Sequence, residues 1–141
     1  MECRESNGFI FVRLKQGEDL FKELGEACKK CSVQSASVVS AVGMLKDFSL
    51  GYFKGKGNYL EEFFPEPHEL VALSGIILRQ SRDEYHFHFH AALADSSHAL
   101  KGGHLGKAKV WVTNEIVLAK SDVKLLRKYE KETGLDGLYF E

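Results

Sequence analysis

Long hydrophobic runs are missing from this sequence, and so is an excess of either charge. No apolar stretch approaches the ~20 residues of a membrane-spanning helix, and even Leu70 to Leu78, "LVALSGIIL", is far too short. No membrane partner is therefore expected. Lysine and arginine number 19 against 20 acidic residues, for a formal net charge of −1. A nucleic-acid binder needs a basic face to displace counterions, so a nucleic-acid partner is disfavoured. The first residues, "MECRESNGF", are polar and mixed in charge. They lack the apolar core of a signal peptide, and the cytoplasm is the expected compartment.

Cysteine is also scarce. Three thiols, an odd number, cannot complete a disulfide framework. Cys28 and Cys31 form a C-x-x-C, but they close a predicted helix. A redox pair needs the helix N-terminus, where the dipole stabilises thiolate. A zinc site there would want two more ligands, and only distant Cys3 remains as a thiol. Both cysteines read as ordinary helix-end residues.

What is present suits one domain: 141 residues, 44% hydrophobic and 28% charged, with no linker or repeat. Phe9 to Lys15, "FIFVRLK", has strand composition. Between Glu18 and Lys30 the apolar residues Leu20, Phe21, Leu24, Ala27 and Cys28 make one helical face. Acids at its start and lysines at its end complement the helix dipole. Further strands are expected at Ser35–Val42, Phe48–Lys54, Tyr59–Phe64, Leu70–Leu78, Tyr85–Ala94 and Lys109–Leu118. Gly43 is expected to bend the chain between two of them. Asp95–Gly103 reads as a loop with room for a brief strand at Ala99–Lys101, and the tail from Leu125 could be helix or strand. Hairpin-length links dominate, so the expected architecture is a single α+β domain with a mixed or largely antiparallel sheet of about seven strands.

Five of the six histidines fall within Tyr85 to Leu105, "YHFHFHAALADSSHALKGGHL". In a strand, His86, His88 and His90 share one face, ~6.5–7 Å apart per step, while Phe87 and Phe89 face the core. Two adjacent imidazoles can reach one ion at ~2.0–2.1 Å, whereas all three from one straight strand reach it with difficulty. The geometry therefore asks for two of them plus a ligand from elsewhere. His104 is the leading candidate, because Gly102 and Gly103 can adopt positive φ and let the backbone return close to the strand it left. His98 is the rival. His86 alone reads as a surface or supporting residue, and His68, after Pro67, as a loop residue. Three neutral imidazoles with an open position suit zinc first, with other divalent transition metals allowed by ligand type. Asp95 or Glu115 could orient an imidazole or act as general base on an activated water. No serine lies in a nucleophile-elbow pattern.

Taken in order, "SAVGMLKDFSLGYF", "ELVALSGIIL", "HFHAALAD", "GGHL" and "VTNEIVL" resemble the plant-and-prokaryote-conserved domain, from about Phe9 to Phe140. The resemblance implies a compact domain whose sheet is flanked by helices, and assembly as a homotrimer. It implies a metal site at His88, His90 and His104, and it matches Glu115 to a glutamate of the family. His86 and His98 inherit no role. The chain has no R-G-R-P hook, so the DNA-binding role of the plant proteins does not carry over. Two functions follow as expectations. One is a metal-binding protein of undefined activity, with metal-assisted hydrolysis as its chemistry. The other is a non-catalytic module that binds a small molecule or a protein around a structural metal.

Overall fold

The computed structural model covers residues 1–141. Strands β1 (Glu2–Ser6) and β2 (Phe9–Lys15) precede helix α1 (Leu20–Lys30), followed by β3 (Ser35–Gly55), β4 (Asn58–Phe64), β5 (His68–Arg79), β6 (Tyr85–Ala94), β7 (Leu100–Ser121), β8 (Leu125–Glu130) and β9 (Leu135–Phe140). The main sheet has seven strands in the order β1-β2-β7-β6-β5-β3-β4, with an additional β7–β3 pairing. Every strand pair in it is antiparallel. Because β7 pairs both β6 and β3, and β5 joins those two, the sheet closes on itself.

This corrects the expected α+β class. The fold is nearly all antiparallel sheet, and a single 11-residue helix packs on it in place of the expected flanking helices. The reason is local. Only Leu20–Lys30 carries a helical apolar stripe, whereas the N-terminal segment and the ambiguous tail both form strands. Asp19 caps the helix, its carboxylate accepting from the Lys22 N–H at 2.9 Å. No helix is long and apolar enough to cross a membrane.

Two long strands organise the rest. β3 runs unbroken through Gly43, where a bend between two strands was expected. Gly43 takes φ +140°, and a Cβ there would fall 2.1 Å from Thr113 O, so the glycine permits a close crossing with β7. β7 likewise starts at Leu100 and absorbs the end of the expected loop. One edge of β7 pairs β6 through Leu100–His104 and β2 through Thr113–Ala119. The chain before α1 fills the interval: Gly17 N donates to Val110 O, and Val110 N to Glu18 O, both at 2.9 Å. The helix is thereby held over the core. Leu20, Leu24, Ala27 and Cys28 are buried there, and Phe21 packs on Phe87 and Phe89 with ring centroids 5.6 and 5.8 Å apart.

Of three further residues, only the first departs from its expected place. His68 opens β5 and is buried, its Nδ1 3.0 Å from Glu66 O and its ring edge-on to Phe48 and Phe64. Burial pushes the Cys28 thiol up to about 12, which keeps it protonated and unreactive, as expected of a structural residue. Gly75, within β5, takes φ +144°, and a Cβ there would lie 1.9 Å from His88 O. Gly75→Ala should therefore force β5 away from β6 and lower stability by about 2 kcal/mol or more. Gly25→Ala is the control: its Cβ would meet only Phe87 at 3.9 Å, inside a helix. That change should raise stability by about 0.5–1 kcal/mol. Urea unfolding of both variants checks the pair.

Candidate metal centre

The site is built by strand register. β6 turns Phe89, Ala91 and Leu93 into the core, so period two sends His88 and His90 to the opposite face. His90 lies directly across from His104 in the β6–β7 ladder. The row continues to Gly51 on β3 and Glu61 on β4. Gly102 and Gly103 allow this close packing, though not by positive φ as expected. Added Cβ atoms would stand 3.1 Å from Ala91 O and 2.8 Å from Gly51 O. Both glycines lie inside β7 with strands on either side, where a side chain would push the sheet apart.

The three imidazoles form a nearly equilateral triangle, with ring centroids 5.4, 5.5 and 5.6 Å apart. One nitrogen from each ring lies within 4.8 Å of the other two. Nitrogens bound tetrahedrally to a zinc-sized ion sit ~3.4 Å apart, so small ring rotations complete the geometry. His104 Nδ1 is buried without a hydrogen-bond partner, an orphaned ring nitrogen such as metal binding can account for. His90 is exposed, which leaves the centre open on one side. The residues present fit a divalent metal.

Electrostatics favour the neutral rings that a metal requires. His88 is pushed down to about 4, chiefly by burial, then by the Arg127 guanidinium and the neighbouring imidazoles. Burial also lowers His104, with His90 and Arg127 adding to it and Glu61 opposing. His86 is lowered by burial and Arg127. Tyr59 flanks the site, its ring 5.5 Å from that of His104 and over Gly51.

The other candidates are placed elsewhere. Glu115 lies eleven residues beyond His104 on β7, beside Arg13 and Val42, or ~36 Å along an extended strand. It lines a separate groove of about 570 Å³ with Cys3, Phe11 and Val117, so within one chain it does not reach the histidines. The Asp95 carboxylate accepts from the Ser97 hydroxyl and from the Ser97 and Ala99 N–H groups, stabilising a turn. His98 occupies that turn with φ +65°. Tyr59, Glu61 and Arg127 are the neighbours that sequence reasoning missed. No spacing rule links them to the histidines: cross-strand register brings Tyr59 and Glu61 there, and Arg127 lies on a hairpin outside the main sheet.

Known proteins share the sequence and the fold of this chain. A segment of the bifunctional protein GlmU of Synechococcus sp. (strain JA-3-3Ab) is 33% identical over 132 residues, 92% of this chain and 20% of that protein. The chain thus spans about a fifth of the length of the curated relatives it matches. The crystal structure of a metal-containing protein from Archaeoglobus fulgidus superposes with a TM-score of 0.82 at 27% identity, covering 96% of this chain and 95% of that one. A candidate DNA-binding protein from Bacteroides thetaiotaomicron superposes with a TM-score of 0.88 at 23% identity, covering 99% and 96%, a likeness of fold alone. Residues 1–122 match the family profile of the Plants and Prokaryotes Conserved (PCC) domain, and the chain belongs to that family.

Proposed function

We propose that this protein binds a divalent transition metal, zinc first among them, through His88, His90 and His104. The observation that carries the reading is the triangle of imidazoles, each with a nitrogen within 4.8 Å of the others. Zinc takes three histidines readily and leaves a fourth position for a ligand. When bound, the ion would supply Lewis acidity toward a water or an oxygen-bearing ligand, which is the chemistry of metal-assisted hydrolysis. The chain's own contribution is to hold three imidazoles on a rigid sheet and to leave His90 facing solvent. A general-base role for Glu115 would require a neighbouring chain to bring it to the site.

A second reading has its own support. A related segment occupies a fifth of a much longer bifunctional protein. That suits a non-catalytic module in which the metal stiffens a surface for a small molecule or a protein. Binding of nucleic acid finds no support in a net charge of −1.

We also propose self-association as a homotrimer. Phe9, Phe11, Val39, Val42 and Val112 are exposed on β2, β3 and β7, and together they leave an apolar face that a partner would cover. Sedimentation equilibrium should give three times the chain mass of 15.9 kDa. A concentration-independent monomer would contradict the assembly.

Metal binding is tested with protein purified without a histidine tag. Equilibrium dialysis against zinc should load one ion per chain. Substituting Ala for His88, His90 or His104 should weaken binding ~100-fold or more, and His86→Ala by less than ~10-fold. His98→Ala should leave binding unchanged. Uptake below about a tenth of an equivalent by the unaltered chain would contradict the reading.

A further inference from the structure

The ladder between β3 and β7 slips by one residue beside the histidines. Leu50 pairs with Leu105 and Ser49 with Lys107, so Gly106 is an extra residue on β7. A bulge of this kind interrupts pairing locally and re-aims the groups around it. Gly106 follows His104 by two residues, and His88 precedes His90, the partner of His104, by two. In an antiparallel pair those two steps run the same way. His90, His104, Gly106 and His88 therefore mark four corners, and the Gly106 corner has no side chain of its own.

Glu61 leans into that corner from another strand. It pairs with Gly51, which pairs with His104, so its side chain shares their face, ~9.5 Å from His104 across two strand spacings. The two glycines divide the space between them. The Tyr59 ring lies over Gly51, its Cδ1 3.0 Å from where a Cβ would stand. Glu61 Oε1 lies 3.0 Å from where a Cβ on Gly106 would stand. Any side chain at 106 would compete with the carboxylate for this place.

The carboxylate is accessible and uncommitted. Glu61 is exposed, and no ion pair of the chain includes it. Lys107, on the same stretch of β7, holds its ammonium over the Phe63 ring at 4.5 Å instead. The cluster of ligand atoms within 4.8 Å of one another contains the three histidines without Glu61. Glu61 is thus placed to meet a ligand on the ion rather than to hold the ion itself.

We propose that Glu61 is the selecting acid of the metal centre, its carboxylate accepting a hydrogen bond from the ligand at the open coordination position. The favoured ligand is one whose metal-binding atom carries a hydrogen, such as a water, an alcohol or an amine. A carboxylate accepts and does not donate, so a small anion without a hydrogen finds no bond there and meets a like charge. This rests on the metal reading above and adds the class of ligand. It also gives the centre an acid from within one chain, which Glu115 does not supply.

The full-length, tag-free chain and its variants are loaded with cobalt(II). Metal affinity is measured by competition with a chelator, and sodium azide is titrated while the visible absorption of the ion is followed. Glu61→Gln keeps the shape of the side chain and removes its charge. It should weaken metal binding about 10-fold and tighten azide binding about 5-fold or more. A merely structural glutamate would not produce that opposite pair of effects. Glu62→Gln removes the same charge one residue away, where Glu62 lines a separate pocket with Tyr52 and Leu60. It should change neither affinity by more than about 2-fold. Glu61→Asp retains the charge and should bind azide within about 3-fold of the unaltered chain. Glu61→Thr suits a strand and replaces Glu61→Gln if urea unfolding shows that the latter disturbs the fold. No metal uptake by the unaltered chain would overturn the metal reading and this inference together. Normal uptake with azide binding no tighter once the Glu61 charge is removed, or tightened as much by Glu62→Gln, would overturn this inference alone.

Discussion

The pairing of His90 with His104 across β6 and β7 is the constraint on which the site depends. Side chains alternate with period two, so a slip of one residue would send His104 to the opposite face from His88 and His90. Nothing in the histidines themselves prevents such a slip. The register is enforced by their neighbours: Phe89, Ala91 and Leu93 of β6 and Leu105 of β7 are buried. Moving Phe89, Leu93 or Leu105 to the outer face would forfeit ~1.5–3 kcal/mol each. The core thereby sets the geometry of a site on its other side.

Close backbone approach is the second requirement. Gly51, Gly75, Gly102 and Gly103 lie within or beside the strands that carry the histidines, and a Cβ on each would stand between 1.9 and 3.1 Å from a neighbouring atom. At Gly51 that neighbour is the Tyr59 ring, so the missing side chain makes room for Tyr59 next to His104. The other three let the strands pack tightly enough for the imidazoles to converge. Burial, with the Arg127 charge adding to it, lowers the pKa of His88 and His104, which joins packing to coordination chemistry.

Much of the site is legible in the sequence, and the reasons are specific. Alternation in "YHFHFH" places His88 and His90 on one outer face and Phe87 and Phe89 inside, because period two carries that information directly. His104 follows from the glycine pair before it, although the glycines act by close packing and not by positive φ. The fold is less legible. Gly43 and the Gly102–Gly103 pair look like breaks in the sequence, yet they permit long continuous strands where two chains cross. "ECRES" is too polar to announce a strand, and the tail has no clean alternation, so β1, β8 and β9 show only through their partners. Glu61 and Tyr59 stay hidden for the same reason, since their place beside the histidines is a property of long-range pairing. Glu115 shows the converse. Its strand is plain in the sequence, but the length of β7 separates it from His104.

The central claim is that one metal ion is shared by His88, His90 and His104. The most direct measurement is X-ray absorption at the zinc edge of loaded, tag-free protein, repeated on His104→Ala. The account predicts a first shell of nitrogen and oxygen near ~2.0–2.1 Å, with outer-shell scattering from three imidazoles in the unaltered chain and two in the variant. A shell containing sulfur near ~2.3 Å would contradict it, as that would place the ion at the cysteines. An imidazole count unchanged by loss of His104 would contradict it equally.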